Sequence, residues 1–191
     1  MGNYELFLLV GPSGVGKDSV LRGVIKSLGE IKTFPSFTTR LPRMREKNGR
    51  EYFFVTEKEF HKLIDREELL EWEEVHPGLL YGTPRKVENL LKKSNLIKSI
   101  DILGAKTLKK IFKDKSVIVF IKPPNERELK NRIKKRGGLS DQQIKERFSR
   151  IDFEIKNAKI SDYQVINDKL KECVREVKNI ILKEILKQKT S

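Results

Sequence analysis

The sequence predicts an α/β fold, a parallel-sheet core with helices on both faces that carries two polar inserts. Three observations predict it. The chain opens with a short apolar run, a glycine-rich loop and an amphipathic helix, in that order. Two later apolar runs, at 96–103 and 117–121, are too short for buried helices and read as strands. Around them, apolar residues recur at helical spacing.

The first strand covers 5–10 and ends at Gly11-Pro12. In the helix that follows, Val20, Leu21, Val24, Ile25 and Leu28 share a face, and Gly29 stops it. Residues 34–55 are polar, basic and turn-rich, with a β-like ending at Tyr52-Phe53-Phe54-Val55. Thr56-x-x-Glu59 is a capping box for a short helix bearing Phe60, Leu63 and Ile64. Thr83-Pro84 reads as an N-cap with proline at the first helical position, ahead of Val87, Leu90 and Leu91. The third apolar strand is closed by Pro123-Pro124. Asn125-x-x-Glu128 opens a basic helix through Arg136 that stops at Gly137-Gly138, and Ser140-x-x-Gln143 caps the next. A short strand at 163–166 precedes a last helix from about Asp168, with Leu170, Val174, Val177, Ile181 and Ile185 as its apolar face.

At 191 residues the chain has the length of one domain, within the usual range of roughly 100–200. Its 41 Lys+Arg against 27 Asp+Glu leave a net charge of +14. The lysines are spread along the chain and interleaved with glutamates, as on a solvated surface, so no nucleic-acid partner is expected. No apolar run approaches the ~20 residues of a membrane span, and the N-terminus lacks a secretory pattern, so a cytoplasmic location without membrane contact is expected. The single cysteine, Cys173, rules out an internal disulfide and reads as a packing residue. Two histidines, His61 and His76, are too few for a His-rich metal site.

Gly11-Pro12-Ser13-Gly14-Val15-Gly16-Lys17 matches the phosphate-loop pattern through its lysine. Backbone N–H groups must crowd around phosphate oxygens there, so side chains at the glycines are kept small. The helix that follows presents its positive end, and Lys17 adds a point charge. The position after Lys17 departs from the pattern. It holds Asp18 where a Mg²⁺-binding Ser or Thr is called for, and Ser19 lies about 100° further around the helix.

A second signature is more specific: Ser36-Phe37-Thr38-Thr39-Arg40-Leu41-Pro42-Arg43, then Glu46, Gly49, Tyr52, Phe54 and Val55. Glu71-Trp72, Tyr81-Gly82-Thr83, Asp101-x-x-Gly104, Arg132-x-x-x-Arg136-Gly137, Arg147 and Asn167-Asp168 follow in order. With the phosphate loop, this set resembles the guanylate kinase family over nearly the whole chain. The resemblance implies a P-loop kinase core of 1–33, 94–124 and 156–191, a small mixed α+β GMP-binding insert at 34–93, and a helical lid at 125–155. It implies γ-phosphoryl transfer from ATP to GMP (dGMP is a possible acceptor) with Mg²⁺ as cofactor, by a monomer or small homo-oligomer.

Carried over residue by residue, Gly11 to Ser19 would hold the ATP phosphates, and Asn167 would lie near the adenine. Arg40, Arg43, Tyr52 and Tyr81 would hold the GMP phosphate, and Ser36, Glu71 and Thr83 would read guanine. Glu46 and Asp101 would position these groups. Lys17, Arg40, Arg132, Arg136 and Arg147 would supply the catalytic positive charge. The chemistry agrees. Arginine forks suit a phosphate dianion. A carboxylate accepts from guanine N1–H and the exocyclic amine together, whereas adenine presents an unprotonated N1 to it.

Read alone, single residues admit plainer roles. Arg132 and Arg136, four apart, suit a solvated helix face; the acidic run at Glu71 suits a surface; Tyr52 suits a core. A second departure is Ser99, where the family usually carries the first carboxylate of Asp-x-Asp ending at Asp101. Asp18 and Ser99 together suggest that carboxylate and hydroxyl have exchanged places around Mg²⁺, directly or through water. A ribose 1,5-bisphosphate phosphokinase-like enzyme, or a non-catalytic guanylate-kinase-like binding module, is the alternative reading.

Overall fold

The computed structural model describes residues 4–190 except 45, 126, 130 and 132–139, and omits the side chains of 141, 143, 146, 147, 189 and 190. Two four-stranded sheets organise them. The first is wholly parallel, in the order β6-β1-β7-β8, formed by β1 (Leu6–Val10), β6 (Leu96–Ser99), β7 (Ser116–Lys122) and β8 (Tyr163–Ile166). The residues of β1 are fully buried, as expected of a strand covered on both faces. One face, with Phe7, Leu9, Ile97 and Val119, packs against α1 (Lys17–Leu28), α5 (Asp141–Lys156) and α6 (Leu170–Thr190). The other, with Leu6, Leu8, Leu96 and Ile118, packs against α3 (Val87–Leu91) and α4 (Ile102–Phe112). The doubly covered parallel sheet agrees with the predicted fold class.

The second sheet is mixed, in the order β3-β2-β5-β4, from β2 (Ser36–Thr38), β3 (Tyr52–Phe54), β4 (Leu69–His76) and β5 (Leu79–Pro84). Strands β2 and β3 run parallel; β5 is antiparallel to β2 and β4. Phe60 of α2 (Glu57–Asp65), with Leu69 and Leu80, forms a small core beneath it. The capping box forms as expected: Thr56 Oγ1 accepts from the Glu59 N–H and Glu59 accepts from the Thr56 N–H.

Three elements differ from the sequence reading. Strand β6 stops at Ser99, and Asp101 accepts from the Leu103 N–H at 2.9 Å to cap α4. The run at 96–103 therefore spans a strand and a helix start, which apolar content alone does not separate. Thr83-Pro84 ends β5 rather than opening a helix: Leu69 pairs with Pro84, and Lys86 stands at the N-cap position of α3 with no side-chain cap bond. On α6, Leu170 is 45% exposed, while Cys173 is buried in the core with Val177 and Ile181. At 125–128 the Asn125 side chain accepts from the Glu128 N–H at 2.7 Å. Residues 127–129 and 131 are helical and Leu129 is buried in the core, while 126, 130 and 132–139 lie outside the described residues.

Candidate active site

The phosphate loop leaves the C-terminal end of β1, a strand flanked on both sides in the sheet. Open α/β sheets bind ligands at such an edge. The loop needs its glycines. Gly16 has φ +100°, and a Cβ there would stand 2.6 Å from Asn167 Nδ2. A Cβ on Gly11 would stand 2.3 Å from the Ile121 carbonyl oxygen. Lys17 Nζ folds onto the loop, donating to the carbonyls of Gly11 and Pro12.

Asn167 is buried and donates from Nδ2 to the Val15 carbonyl at 2.7 Å, while its N–H donates to the Lys122 carbonyl. It thus braces the phosphate loop against β7. Asp18 is exposed on the first turn of α1, and its carboxylate has no hydrogen bond or ion pair among the described residues. Ser19 Oγ accepts from Arg22 at 3.3 Å.

The second sheet gathers most of the other predicted residues. Glu71 and Thr83 stand opposite each other on β4 and β5, both buried. The Thr83 hydroxyl donates to Glu71 Oε1 at 2.5 Å. Burial pushes the Glu71 carboxyl up to about 7, against the lowering effect of the Thr83 bond. The strand period of two turns Glu71 inward while Trp72 is 45% exposed. That is why an acidic run holds one buried carboxylate. Gly104 on α4 makes room for it: a Cβ there would stand 2.6 Å from Glu71 Oε2. Ser36 is buried at the head of β2.

Arg40 makes a two-pronged pair with Glu46, Nη1–Oε2 and Nη2–Oε1 both 3.0 Å. Glu46 also accepts from the Arg43 N–H at 2.7 Å, closing the loop that carries both arginines. The Arg40 guanidinium lies 5.3 Å from the Tyr52 ring centre, and Tyr52 meets Tyr81 edge-on at 5.9 Å. Burial, and then Asp18, raise the Tyr52 phenol well above its ordinary range. Asp101 both caps α4 and accepts from Arg150 at 2.8 Å. Ser99 pairs in register with Leu9 at the end of β1. Arg132, Arg136 and the side chain of Arg147 lie outside the described residues.

Three residues of this region escaped the sequence reading. Glu154 on α5 is buried, accepts from the Ser13 backbone of the phosphate loop, and feels the Lys17 charge. Burial pushes its carboxyl up to about 7. Arg150 is the partner of Asp101. With Arg147, these two lie at i, i+3 and i+7, one helical face, and that spacing was the available signal. Lys98 is the third, a charged residue inside the apolar strand β6.

The family model for guanylate kinase matches residues 3–184. The chain belongs to the guanylate kinase family. It is 37% identical over 186 residues to the guanylate kinase of Porphyromonas gingivalis, covering 96% of this chain and 99% of that one. It is 39% identical over 181 residues to that of Geobacter sulfurreducens, covering 94% and 88%. The crystal structure of guanylate kinase from Anaplasma phagocytophilum superposes with a TM-score of 0.76 at 30% identity, covering 95% of this chain and 85% of that one. Membership weakens the sugar-phosphate and binding-module alternatives. No helix among the described residues is long and apolar enough to cross a membrane.

Proposed function

We infer that the chain transfers the γ-phosphoryl group of ATP to GMP, giving ADP and GDP, through the residues assembled around the two sheets. The buried Glu71–Thr83 pair carries the acceptor assignment. A carboxylate held out of water, with one oxygen engaged by Thr83, suits the N1–H and amine donors of guanine. A sugar phosphate has no use for it. Ser36 and Thr83 complete the base-reading set. Arg40, Arg43, Tyr52 and Tyr81 form the acceptor-phosphate cradle, with Glu46 setting the angle of the Arg40 fork.

The acceptor phosphate is already ionised, so transfer needs alignment and positive charge rather than a strong base. One of its oxygens attacks the γ-phosphorus as the bond to the bridging oxygen of ADP breaks. Lys17, released from the Gly11 and Pro12 carbonyls, would follow the developing charge. Arg40, Arg132, Arg136 and Arg147 would neutralise the equatorial oxygens. Gly11 to Ser19 would cradle the donor phosphates, with Asn167 and Glu154 bracing the loop from behind. Asp101, held by Arg150, keeps α4 and its Gly104 notch against Glu71.

The donor set suits Mg²⁺ held mainly by phosphate and water. Asp18 offers an unengaged carboxylate, Ser99 a hydroxyl on the neighbouring strand end, and no cluster of three acidic, His or Cys ligands exists among the described residues. Asp18 and Ser99 would hold the ion, which supplies charge neutralisation at the donor phosphates. The working units are the core (1–33, 94–124, 156–191), the GMP insert (34–93) and the lid (125–155). The setting is a cytoplasmic monomer or small homo-oligomer. A coupled assay offering GMP, dGMP, AMP and ribose 1,5-bisphosphate tests the reading. GMP should be the best acceptor and AMP should fail; preferential use of the sugar phosphate would overturn it.

A further inference from the structure

Lys98 stands where the fold calls for an aliphatic side chain. It follows Leu96 and Ile97 on β6, pairs in register with Leu8, and is 5% exposed. Its ammonium donates to the Phe34 carbonyl at 2.8 Å and to the Glu51 carbonyl at 3.4 Å. It also sits 5.0 Å from the centre of the Tyr52 ring and 5.4 Å from that of Phe34. Carbonyls and ring faces therefore solvate this cation in part.

What it lacks, among the described residues, is an ion pair. The negative groups that face it are Asp18, Glu51 and Glu71, and no ion pair joins any of them to Lys98 among the described residues. The Glu51 carboxylate is taken by the Lys47 N–H and Arg50 Nε, and that of Glu71 by Thr83. One of three ammonium protons has no described acceptor. Burying a cation without an anion is costly. The two carbonyls it does hold flank the loop that bears Arg40, Arg43 and Glu46. The ammonium thus ties both ends of that loop to the core strand.

We propose that Lys98 is a positioning residue for the acceptor phosphate: a fixed cation beneath Tyr52 that completes its charge balance only when a phosphorylated acceptor occupies the Arg40–Tyr52 cradle. Lys98 acts on the phosphate through Tyr52 and the tethered loop, and leaves base recognition to Glu71. This rests on the GMP kinase reading above.

The test uses the full chain at neutral pH, with Lys98→Met, close in length but uncharged, and Lys98→Gln, which can still donate to the two carbonyls. Calorimetry measures GMP and guanosine binding, steady-state kinetics measures both substrates, and a thermal melt measures stability. Both variants should weaken GMP on the order of tenfold or more while guanosine affinity and the ATP KM hold. The melting temperature of Lys98→Met should change little, since relief of a buried charge offsets the loss of a donor to two carbonyls. GMP and guanosine weakened equally, or a Lys98→Gln enzyme that binds GMP like wild type, would overturn the proposal. So would a fall in melting temperature with both substrates affected. A wild-type enzyme that does not phosphorylate GMP would overturn the functional reading instead, independently of the variants.

Discussion

Glu71 concentrates the specificity question in one side chain. Its carboxyl is raised from an ordinary 4.5 to about 7, first by burial, with Glu73 and Asp101 adding to the rise and Thr83 opposing it. Guanine offers two donors, so the useful form is the ionised one. As pH rises through about 7 that form fills, and GMP should bind more tightly at pH 8 than at pH 6. At pH 7 binding should release protons, which calorimetry in buffers of different ionisation enthalpy detects. Glu71→Gln places an NH₂ opposite a guanine donor. It should lose roughly 2–4 kcal/mol in GMP kcat/KM, leave the ATP KM unchanged and flatten the pH dependence. Wild-type use of GMP by this variant would remove Glu71 from base recognition.

At the scale of elements, the proposed Mg²⁺ site turns on two neighbours in the first sheet. Strand β1 runs into the phosphate loop and α1, and β6 lies beside it with Ser99 opposite Leu9. Asp18 on α1 and Ser99 on β6 thus come from adjoining elements, as an exchange of carboxylate and hydroxyl requires. The plainer role for Asp18 is to complement the helix end, worth about 0.3–1 kcal/mol. A double-mutant cycle separates the two. Asp18→Ser and Ser99→Asp should each raise the Mg²⁺ needed for half-maximal rate, and the double variant should recover most of the loss. Additive losses would leave only the helix-end role. Elements were legible where periodicity is unmixed, as in β1, α1, α2 and β7. They were not at 96–103, where one apolar run serves a strand and a helix. Nor were they at Thr83-Pro84, where proline closes a strand with the same residues that can open a helix.

At the scale of the whole molecule, three buried carboxyls among the described residues share one behaviour. Glu5, Glu71 and Glu154 are each pushed up to about 7, chiefly by burial. Between about 4.5 and 7 the folded chain therefore holds more protons at these sites than the unfolded chain. With that sign, their contribution makes the ligand-free protein less stable as pH rises across the interval. Denaturant midpoints without ligand should be higher at pH 5.5 than at pH 7.5. Glu154→Gln should reduce the slope, because the amide has no carboxyl to ionise against burial. A midpoint that climbs from pH 5.5 to 7.5 would show that the three groups do not titrate in this way. Saturating GMP should offset part of the loss at the higher pH, since it engages the ionised form of Glu71.

The sequence by itself determined the parallel core and the phosphate loop, and its resemblance to one family supplied the ordered set of proposed acceptor residues. The first two rest on short-range patterns, an apolar run and glycines before a helix, while the acceptor set rests on the resemblance of an ordered series of motifs to one family. The tertiary structure decided which charges are buried. Glu71 lies in an acidic run and Glu154 in a mixed helix, and neither stretch says whether a carboxylate faces water. The pairing of β4 with β5, the notch at Gly104 and the approach of α5 to the phosphate loop settle it. Lys98 is the clearest case. A lysine in a strand reads locally as an edge or a surface. Only the packing of β6 under the second sheet places its ammonium between two carbonyls and two rings. Burial depends on contacts between segments distant in the chain, and local periodicity carries no record of those contacts.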